Sequence, residues 1–214
     1  VSSCSTAGTI PTGTNAGSYT VYYYVAGNTN YNSKSGSVNV TISKKADAIT
    51  ITAKTGSYTG SAQTATFKTT SGLTPTVTYY SNSSCSTTVS GSPVNAGTYY
   101  AKATTAGNGN YNAASMACTK AVTISKAANT LTLSANSATY TYPTAGTFTV
   151  TKNTSGGALS CTTSNSAVAT CSISGTTVTV TPGTAEGAAT ITVKSTATTN
   201  YNAGQVAHVA TTGA

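Results

Sequence analysis

Side chains able to do acid–base chemistry are scarce in this chain of 214 residues. Its acids are Asp47 and Glu186 alone, and its single imidazole is that of His208. Glycosidase chemistry needs two carboxyl groups beside one bond, and a calcium cage needs several oxygen ligands. The two acids lie far apart in sequence, and a Ser-His-Asp triad would need residues from separate repeats. We therefore expect a non-enzymatic protein without catalytic residues or cofactor.

The cysteines do not have the spacing of a metal site. They occupy positions 4, 85, 118, 161 and 171, whereas zinc ligands cluster at short intervals. We expect no metal centre.

The net charge of +8 comes from ten Lys and no Arg. Guanine is usually read by a bidentate Arg, and no dense run of Lys is present. We expect no specific nucleic-acid partner, although diffuse attraction to anionic polymers stays open. No run of 18 or more apolar residues occurs, so we expect no membrane span in this segment.

The sequence repeats itself with a period of about 80 residues. Residues 15–19 (NAGSY) match residues 95–99 (NAGTY), and residues 26–32 (AGNTNYN) match residues 106–112 (AGNGNYN). A third, more divergent copy ends in an Asn-Tyr-Asn-Ala run at residues 200–203. Such internal repetition is typical of tandem arrays of one structural unit.

Short segments alternate apolar and polar residues, which is the period-two pattern of strands with one buried face. Gly, Asn, Pro and Ser clusters between them favour turns. Although 77 residues are Ser or Thr, this pattern favours an ordered all-β chain over a disordered one. The predicted strands lie near residues 48–53, 64–68, 76–80, 99–103, 121–124, 147–151, 176–181 and 190–194.

Repeats of this length with about seven strands predict tandem Ig-like β-sandwich domains in a head-to-tail array. We place the boundaries so that residues 1–45 form a partial repeat, incomplete at its N-terminal side. Residues 46–127 and 128–214 then form two complete repeats. Short joints near Lys45 and Ala127 would connect them.

The chain resembles two families of bacterial surface-protein repeats. The NAGTY segment, the Asn-Tyr-Asn loop and the VTISKA run at residues 122–127 are similar to MBG-type repeats. Residues 164–169, 175–178 and 187–193 resemble bacterial Ig-like group 2 domains. The resemblance implies spacers in adhesins or other cell-surface proteins, an extracellular location and no shared catalytic or ligand residues.

The repeat spacing suggests how the cysteines pair. Cys85 and Cys118 fall in one repeat and Cys161 and Cys171 in the next, so we expect disulfides within each pair. The second bridge is expected to tie a short hairpin around residues 165–166. Cys4 is the odd one, either as a free thiol or as a disulfide to another chain.

Tyr is the dominant aromatic residue, with 14 Tyr, two Phe and no Trp. Most Tyr side chains are expected to fill the core, while outward rings would form a glycan platform, with Tyr23 and Tyr100 as candidates. Tyr31, Tyr111 and Tyr201 recur in the Asn-Tyr-Asn loops, where a hydroxyl holding a loop backbone is expected.

His208 lies in an alternating segment, and we expect it to be a solvated strand residue.

The functional hypothesis is a structural spacer or stalk segment that contacts neighbouring repeats of the same protein. The alternatives are a module that binds glycan or anionic cell-wall polymer, and a filament subunit that self-associates through its incomplete N-terminal unit. A binder should cluster its exposed aromatic residues on one repeat, whereas a spacer should scatter them.

Overall fold

A computed structural model describes residues 12–213. These residues form strands joined by turns, and no helix occurs among them. The strands are β1 (Gly17–Val25), β2 (Lys34–Ile42), β3 (Ile49–Thr52), β4 (Lys54–Ser57), β5 (Thr66–Thr69), β6 (Thr76–Tyr80), β7 (Gly97–Thr105), β8 (Ala114–Ser125), β9 (Leu131–Leu133), β10 (Ser137–Thr141), β11 (Gly146–Asn153), β12 (Leu159–Thr163), β13 (Ala169–Ser174), β14 (Thr177–Pro182), β15 (Gly187–Ser195) and β16 (Gly204–Gly213).

The first repeat contributes one antiparallel hairpin, β1–β2, which we call the first hairpin. Its register runs without interruption from the pair Gly17 and Ile42 to the pair Val25 and Lys34.

The second repeat has six strands in two sheets. One sheet has the order β4-β8-β7-β6, and the other pairs β3 with β5. Strand β4 runs parallel to β8, whereas β6 runs antiparallel to β7. The core side chains of the long strands β7 and β8 include Ala101, Ala103, Val122 and Ile124, all buried.

The third repeat is a sandwich of two four-stranded sheets, ordered β10-β16-β15-β12 and β13-β14-β11-β9. Alternate residues of each strand face the space between the sheets, because successive side chains of a strand point to opposite faces. Phe148, Val178, Val180, Ile191 and Val193 lie at the centre of this core.

The chain forms two compact units that do not follow the sequence repeats. Of the described residues, one unit contains residues 12–53 together with Ala65–Gly91 and Tyr100–Ala121. The other contains Lys54–Thr64, Ser92–Tyr99 and the residues from Val122 onward. The second repeat therefore contributes residues to both units.

The predicted all-β fold of tandem sandwiches is confirmed. Each of the eight predicted strand segments overlaps an observed strand, because the alternation of apolar and hydroxyl side chains marks the buried faces.

The expected exposure of His208 is wrong. Its side chain is fully buried, stacked on Phe148 with ring centroids 4.0 Å apart. Nδ1 lies 2.8 Å from the carbonyl oxygen of Ala135 and Nε2 lies 3.0 Å from the Tyr140 hydroxyl. Because the carbonyl can only accept, Nδ1 donates the first of these hydrogen bonds, and Nε2 shares the second with the Tyr140 hydroxyl. The imidazole is a satisfied core residue whose two nitrogens are both engaged.

Candidate functional site: the joints between repeats

The Asn-Tyr-Asn loops are pre-shaped by a hydrogen-bonded turn. In the second repeat, Asn108 Oδ1 accepts hydrogen bonds from the backbone N–H groups of Asn110 and Tyr111, each at 2.9 Å. In the first repeat, Asn28 Oδ1 accepts from Asn30 and Tyr31, each at 3.0 Å. The two loops therefore have the same local conformation, which an Asn side chain favours by bonding to the backbone beyond it.

The loop of the second repeat contacts the first repeat through the Asn110 side chain. Its Oδ1 accepts a 2.8 Å hydrogen bond from the Ala16 N–H, and its Nδ2 donates to Asn15 Oδ1 at 2.9 Å. One side-chain amide thus engages both a backbone group and a second amide of the Asn-Ala-Gly turn that begins β1. We call this arrangement the Asn clasp.

The same clasp recurs one repeat later. Asn200 Oδ1 accepts from the Ala96 N–H at 2.8 Å, and Nδ2 donates to Asn95 Oδ1 at 3.0 Å. Because the loop and the turn come from adjacent repeats, each clasp spans a joint. The first clasp lies wholly within one compact unit, and the second lies wholly within the other.

Backbone pairing reinforces each clasp. The Lys45 N–H donates to the Asn110 carbonyl at 2.8 Å, and the Asn112 N–H donates to the Lys45 carbonyl at 2.9 Å. Ala127 makes the equivalent pair with Asn200 and Asn202, at 2.8 and 2.9 Å. Four hydrogen bonds therefore hold each joint, and the connecting residue is itself part of the pairing.

Tyrosine hydroxyls brace the Asn-Ala-Gly turns. Tyr19 donates to the carbonyl of Asn15 at 2.7 Å, and Tyr99 donates to the carbonyl of Asn95 at 2.9 Å. The hydroxyls that hold a backbone carbonyl at a joint are therefore these two. The sequence predicts this role for Tyr31, Tyr111 and Tyr201, but within residues 12–213 the hydroxyls at the joints are those of Tyr19 and Tyr99.

The second joint has two further contacts. The rings of Tyr58 and Tyr201 meet edge to face, with centroids 5.5 Å apart and planes at 77°. The Lys126 ammonium donates to the Thr198 carbonyl at 2.6 Å. In the first repeat, by contrast, Tyr31 is 76% exposed, and no turn contacts the Asn30 amide within residues 12–213.

The Asp47 carboxylate, at the start of the second repeat, is hydrogen-bonded to two later segments of that repeat. It accepts hydrogen bonds from the N–H and hydroxyl of Ser71, the Thr105 hydroxyl and the Ala48 N–H. Burial acts to raise the pKa of this carboxyl, but these hydrogen bonds outweigh it and hold the pKa below the ordinary value of 3.8. The equivalent residue of the third repeat is Asn129, whose Oδ1 accepts from the Ser155 N–H at 2.9 Å.

Both expected cysteine pairs are disulfides in the structure. The Cα atoms of Cys85 and Cys118 are 5.9 Å apart, and those of Cys161 and Cys171 are 6.2 Å apart. The expectation that the second bridge ties a hairpin is wrong, because β12 and β13 belong to different sheets. This disulfide joins the two layers of the sandwich. Cys4 lies outside the described residues.

The two proposed glycan-platform residues do not occupy equivalent positions. Tyr23 lies on the first hairpin with its ring against Gly36 of the neighbouring strand. Tyr100 pairs with Tyr80 across β7 and β6, and the Lys102 ammonium lies 5.5 Å from the Tyr80 ring centroid. By the repeat spacing Tyr23 matches the buried Ala103, so it lies on a core face, whereas Tyr100 lies on the outer one.

Within the described range, no cluster of three or more His, Cys, Asp or Glu side chains could hold a metal ion. The same residues contain no helix long and apolar enough to cross a membrane.

Sequence reasoning did not identify Asn110 and Asn200 as joint residues. The signal that could have found them is the recurrence of Asn at this loop position in every repeat, together with the Asn-Ala-Gly run in the preceding one.

No protein-family model matches the chain, and no curated protein matches it. Among solved structures, the crystal structure of the titin domains Z1Z2 in complex with telethonin aligns with 80% of this chain and 97% of that one, at 14% identity and a TM-score of 0.39. The S-layer protein rSbsC aligns at 19% identity and a TM-score of 0.36, over 92% of this chain but only 35% of its own. Drosophila N-cadherin EC1-4 aligns over 92% and 58%, at 9% identity and a TM-score of 0.34. These likenesses assign neither family nor function.

Proposed function

We propose that the chain is a structural spacer segment of an extracellular bacterial surface protein, in which the Asn clasps hold the joints between successive Ig-like repeats. The observation that supports this most is the recurrence of the same four hydrogen bonds at both joints. A connecting residue that takes part in backbone pairing cannot act as a flexible linker.

Composition and disulfides support the same proposal. The chain has 6% charged residues and a surface rich in hydroxyl groups, without a cluster of acids or imidazoles for chemistry. Disulfides persist in oxidising compartments, which supports an extracellular location. The role is therefore non-catalytic, and the partners are neighbouring repeats.

Joint order is the property to test. Residual dipolar couplings of backbone amides in residues 92–99 and 128–213, which lie on the two sides of the second joint within one compact unit, should fit one alignment tensor in the native chain. In Asn200→Ala, which removes two of the four hydrogen bonds, the fit to one tensor should worsen, whereas Asn30→Ala, which changes a loop without a clasp, should leave the fit unchanged. Two independent tensors in the native chain would refute the ordered joint.

A glycan- or polymer-binding module is the second candidate function. It is favoured by the outer surface formed by Tyr80, Tyr100 and Lys102. There, Tyr80 and Tyr100 are paired across two strands, and the Lys102 ammonium lies 5.5 Å from the Tyr80 ring centroid. Aromatic faces stack on sugar rings, and Lys attracts anionic polymers.

Binding to glycans and cell-wall polymers at two salt concentrations tests this second candidate. Saturable, salt-insensitive binding that Tyr100→Ala abolishes and Tyr22→Ala retains would establish a glycan site. Binding that disappears at high salt would indicate charge attraction only. Absence of binding would leave the spacer as the only supported function.

A further inference from the structure

The first hairpin carries an exposed apolar face. The register pairs Tyr19 with Val40, Val21 with Val38 and Tyr23 with Gly36, and paired residues of an antiparallel ladder share a face. Val38 is 54% exposed and Val40 is 45% exposed.

The opposite face of this hairpin bears mainly hydroxyl and amide groups, together with Tyr22 and Tyr24 toward the end of β1. It carries Ser18, Thr20, Asn39 and Thr41, and the Thr20 hydroxyl donates to Asn39 Oδ1 at 2.9 Å. This alternation is typical of a strand pair that packs one face, here the face of Val21, Val38 and Val40, against a core and exposes the other face to water.

The same positions are core residues in the two other repeats. Val21 matches Ala101 and Ile191 by the repeat spacing, and both of these are fully buried. Val40 matches Val122, which is also fully buried. The exposed face is thus the core face of a sandwich whose second half does not occur among residues 12–213.

The complete copies show which strands lie along the edges of this hairpin. In the second repeat, β4 runs parallel to β8 and β6 runs antiparallel to β7. In the third repeat, β10 runs parallel to β16 and β12 runs antiparallel to β15. In residues 12–213 the corresponding edges of β2 and β1 have no neighbouring strand.

We infer that the first hairpin is an acceptor surface for the first half of another repeat of the same kind. The occupant supplies one strand parallel to β2, one strand antiparallel to β1, and an apolar face that covers Val21, Val38 and Val40. Its chemistry is that of residues 46–81, which hold the corresponding position in the second repeat.

Strand polarity argues against a second copy of the same hairpin as the occupant. Two identical edge strands related by a two-fold axis pair antiparallel, whereas both complete copies have a parallel neighbour on this strand. Lys34, at the end of this face, is its single charged side chain, so the face offers a charged polymer one ionic contact beside a row of apolar side chains.

A fusion tests this inference. A copy of residues 46–81, which contains no Cys, is attached directly before Val1, because the repeat spacing matches Val1 to Asn82. Hydrogen exchange of residues 18–42 should slow by about 100-fold or more in the fusion, since an ordered sandwich opens far less often than an exposed hairpin.

Two matched variants keep the test sharp. The first carries Ser in place of the apolar residues corresponding to Ile51, Phe67 and Val77 in the attached copy only. The second carries Val40→Lys in the acceptor hairpin, a change that the unfused chain tolerates because Val40 is exposed. Both should return the exchange rates to those of the unfused chain.

Two results would overturn the inference. One is a fusion whose hairpin exchanges as fast as in the unfused chain. The other is an unfused chain that dimerises and protects its own hairpin until Val40→Lys is introduced, because the occupant would then be a second copy. Neither result depends on the order of the joints, so the spacer proposal is tested separately.

Discussion

The first hairpin and the β15–β16 hairpin of the third repeat have the same connectivity but opposite environments. Ile191 on β15 is fully buried between two sheets, whereas the matching Val21 on β1 lies on a face rich in exposed side chains. The two faces have the same alternation of apolar side chains. The comparison shows that alternation identifies which face is suited to a core, while burial depends on whether a second layer is present.

The largest expected difference between the two hairpins is in their response to truncation. Ile191→Ala should lower the stability of the third repeat by about 2–5 kcal/mol, because it removes buried methyl groups and leaves a cavity. Val21→Ala should cost less than about 1 kcal/mol, since its surroundings are open. Urea denaturation followed by circular dichroism measures both, and equal costs would contradict the comparison.

The disulfides add a second difference, because the segment of the first hairpin that matches Cys118, residues 36–38, contains no Cys. Replacing Cys85 and Cys118 together by Ser should destabilise the second repeat by about 2–4 kcal/mol, since the bridge restricts the unfolded chain. Thermal unfolding of the native and double-Ser proteins provides the measurement. Exchange rates in the first hairpin should stay as they are, and a change there would show that the repeats are more strongly coupled than we infer.

The joints should respond more weakly. Asn200→Ala removes two hydrogen bonds at about 0.5–1.5 kcal/mol each and should lower the stability at the second joint accordingly. Asn110→Ala should act similarly at the first joint, whereas Asn30→Ala should have no measurable effect. Denaturation of the three variants in parallel compares an engaged clasp with a vacant loop, and equal losses at all three positions would remove the distinction.

Asp47 gives the smallest and most specific prediction. Its pKa is lowered in the folded protein, so its contribution to stability is present above the ordinary value of 3.8 and is lost as pH falls through the depressed value. The second repeat should therefore weaken below about pH 4, and Asp47→Asn should remove this dependence. Asn129 gives the third repeat no such titration. Unfolding midpoints between pH 2 and pH 7 would show the difference, and an unchanged acid response in Asp47→Asn would assign it elsewhere.

The repeat pattern predicted more of the fold than composition did. Strands β7, β11, β14 and β15 follow alternating segments, since their buried faces are marked by Val, Ile, Ala and Phe. The cysteine pairs follow from assigning each pair to one repeat. Short edge strands such as β4 have too few residues for their pattern to be read.

The predictions that failed depended on distant partners. His208 lies in a segment where either face could be the inner one, and its burial depends on Tyr140 and Ala135, about 70 residues away. The Asn clasp joins residues 94 to 105 positions apart. A local pattern has no information about which amide will meet which turn, so the joint emerges only from the three-dimensional arrangement.

The Asn clasp also makes the array modular. Each repeat receives its predecessor's turn on its loop and offers its own turn to its successor, so a duplicated repeat would bring both halves of the contact with it. Recombination between similar coding segments could then lengthen or shorten the array by whole repeats without requiring any new contact to evolve. The third repeat has Ala185-Glu186-Gly187 where its predecessors have Asn-Ala-Gly, so a copy of it placed inside the array would interrupt the series.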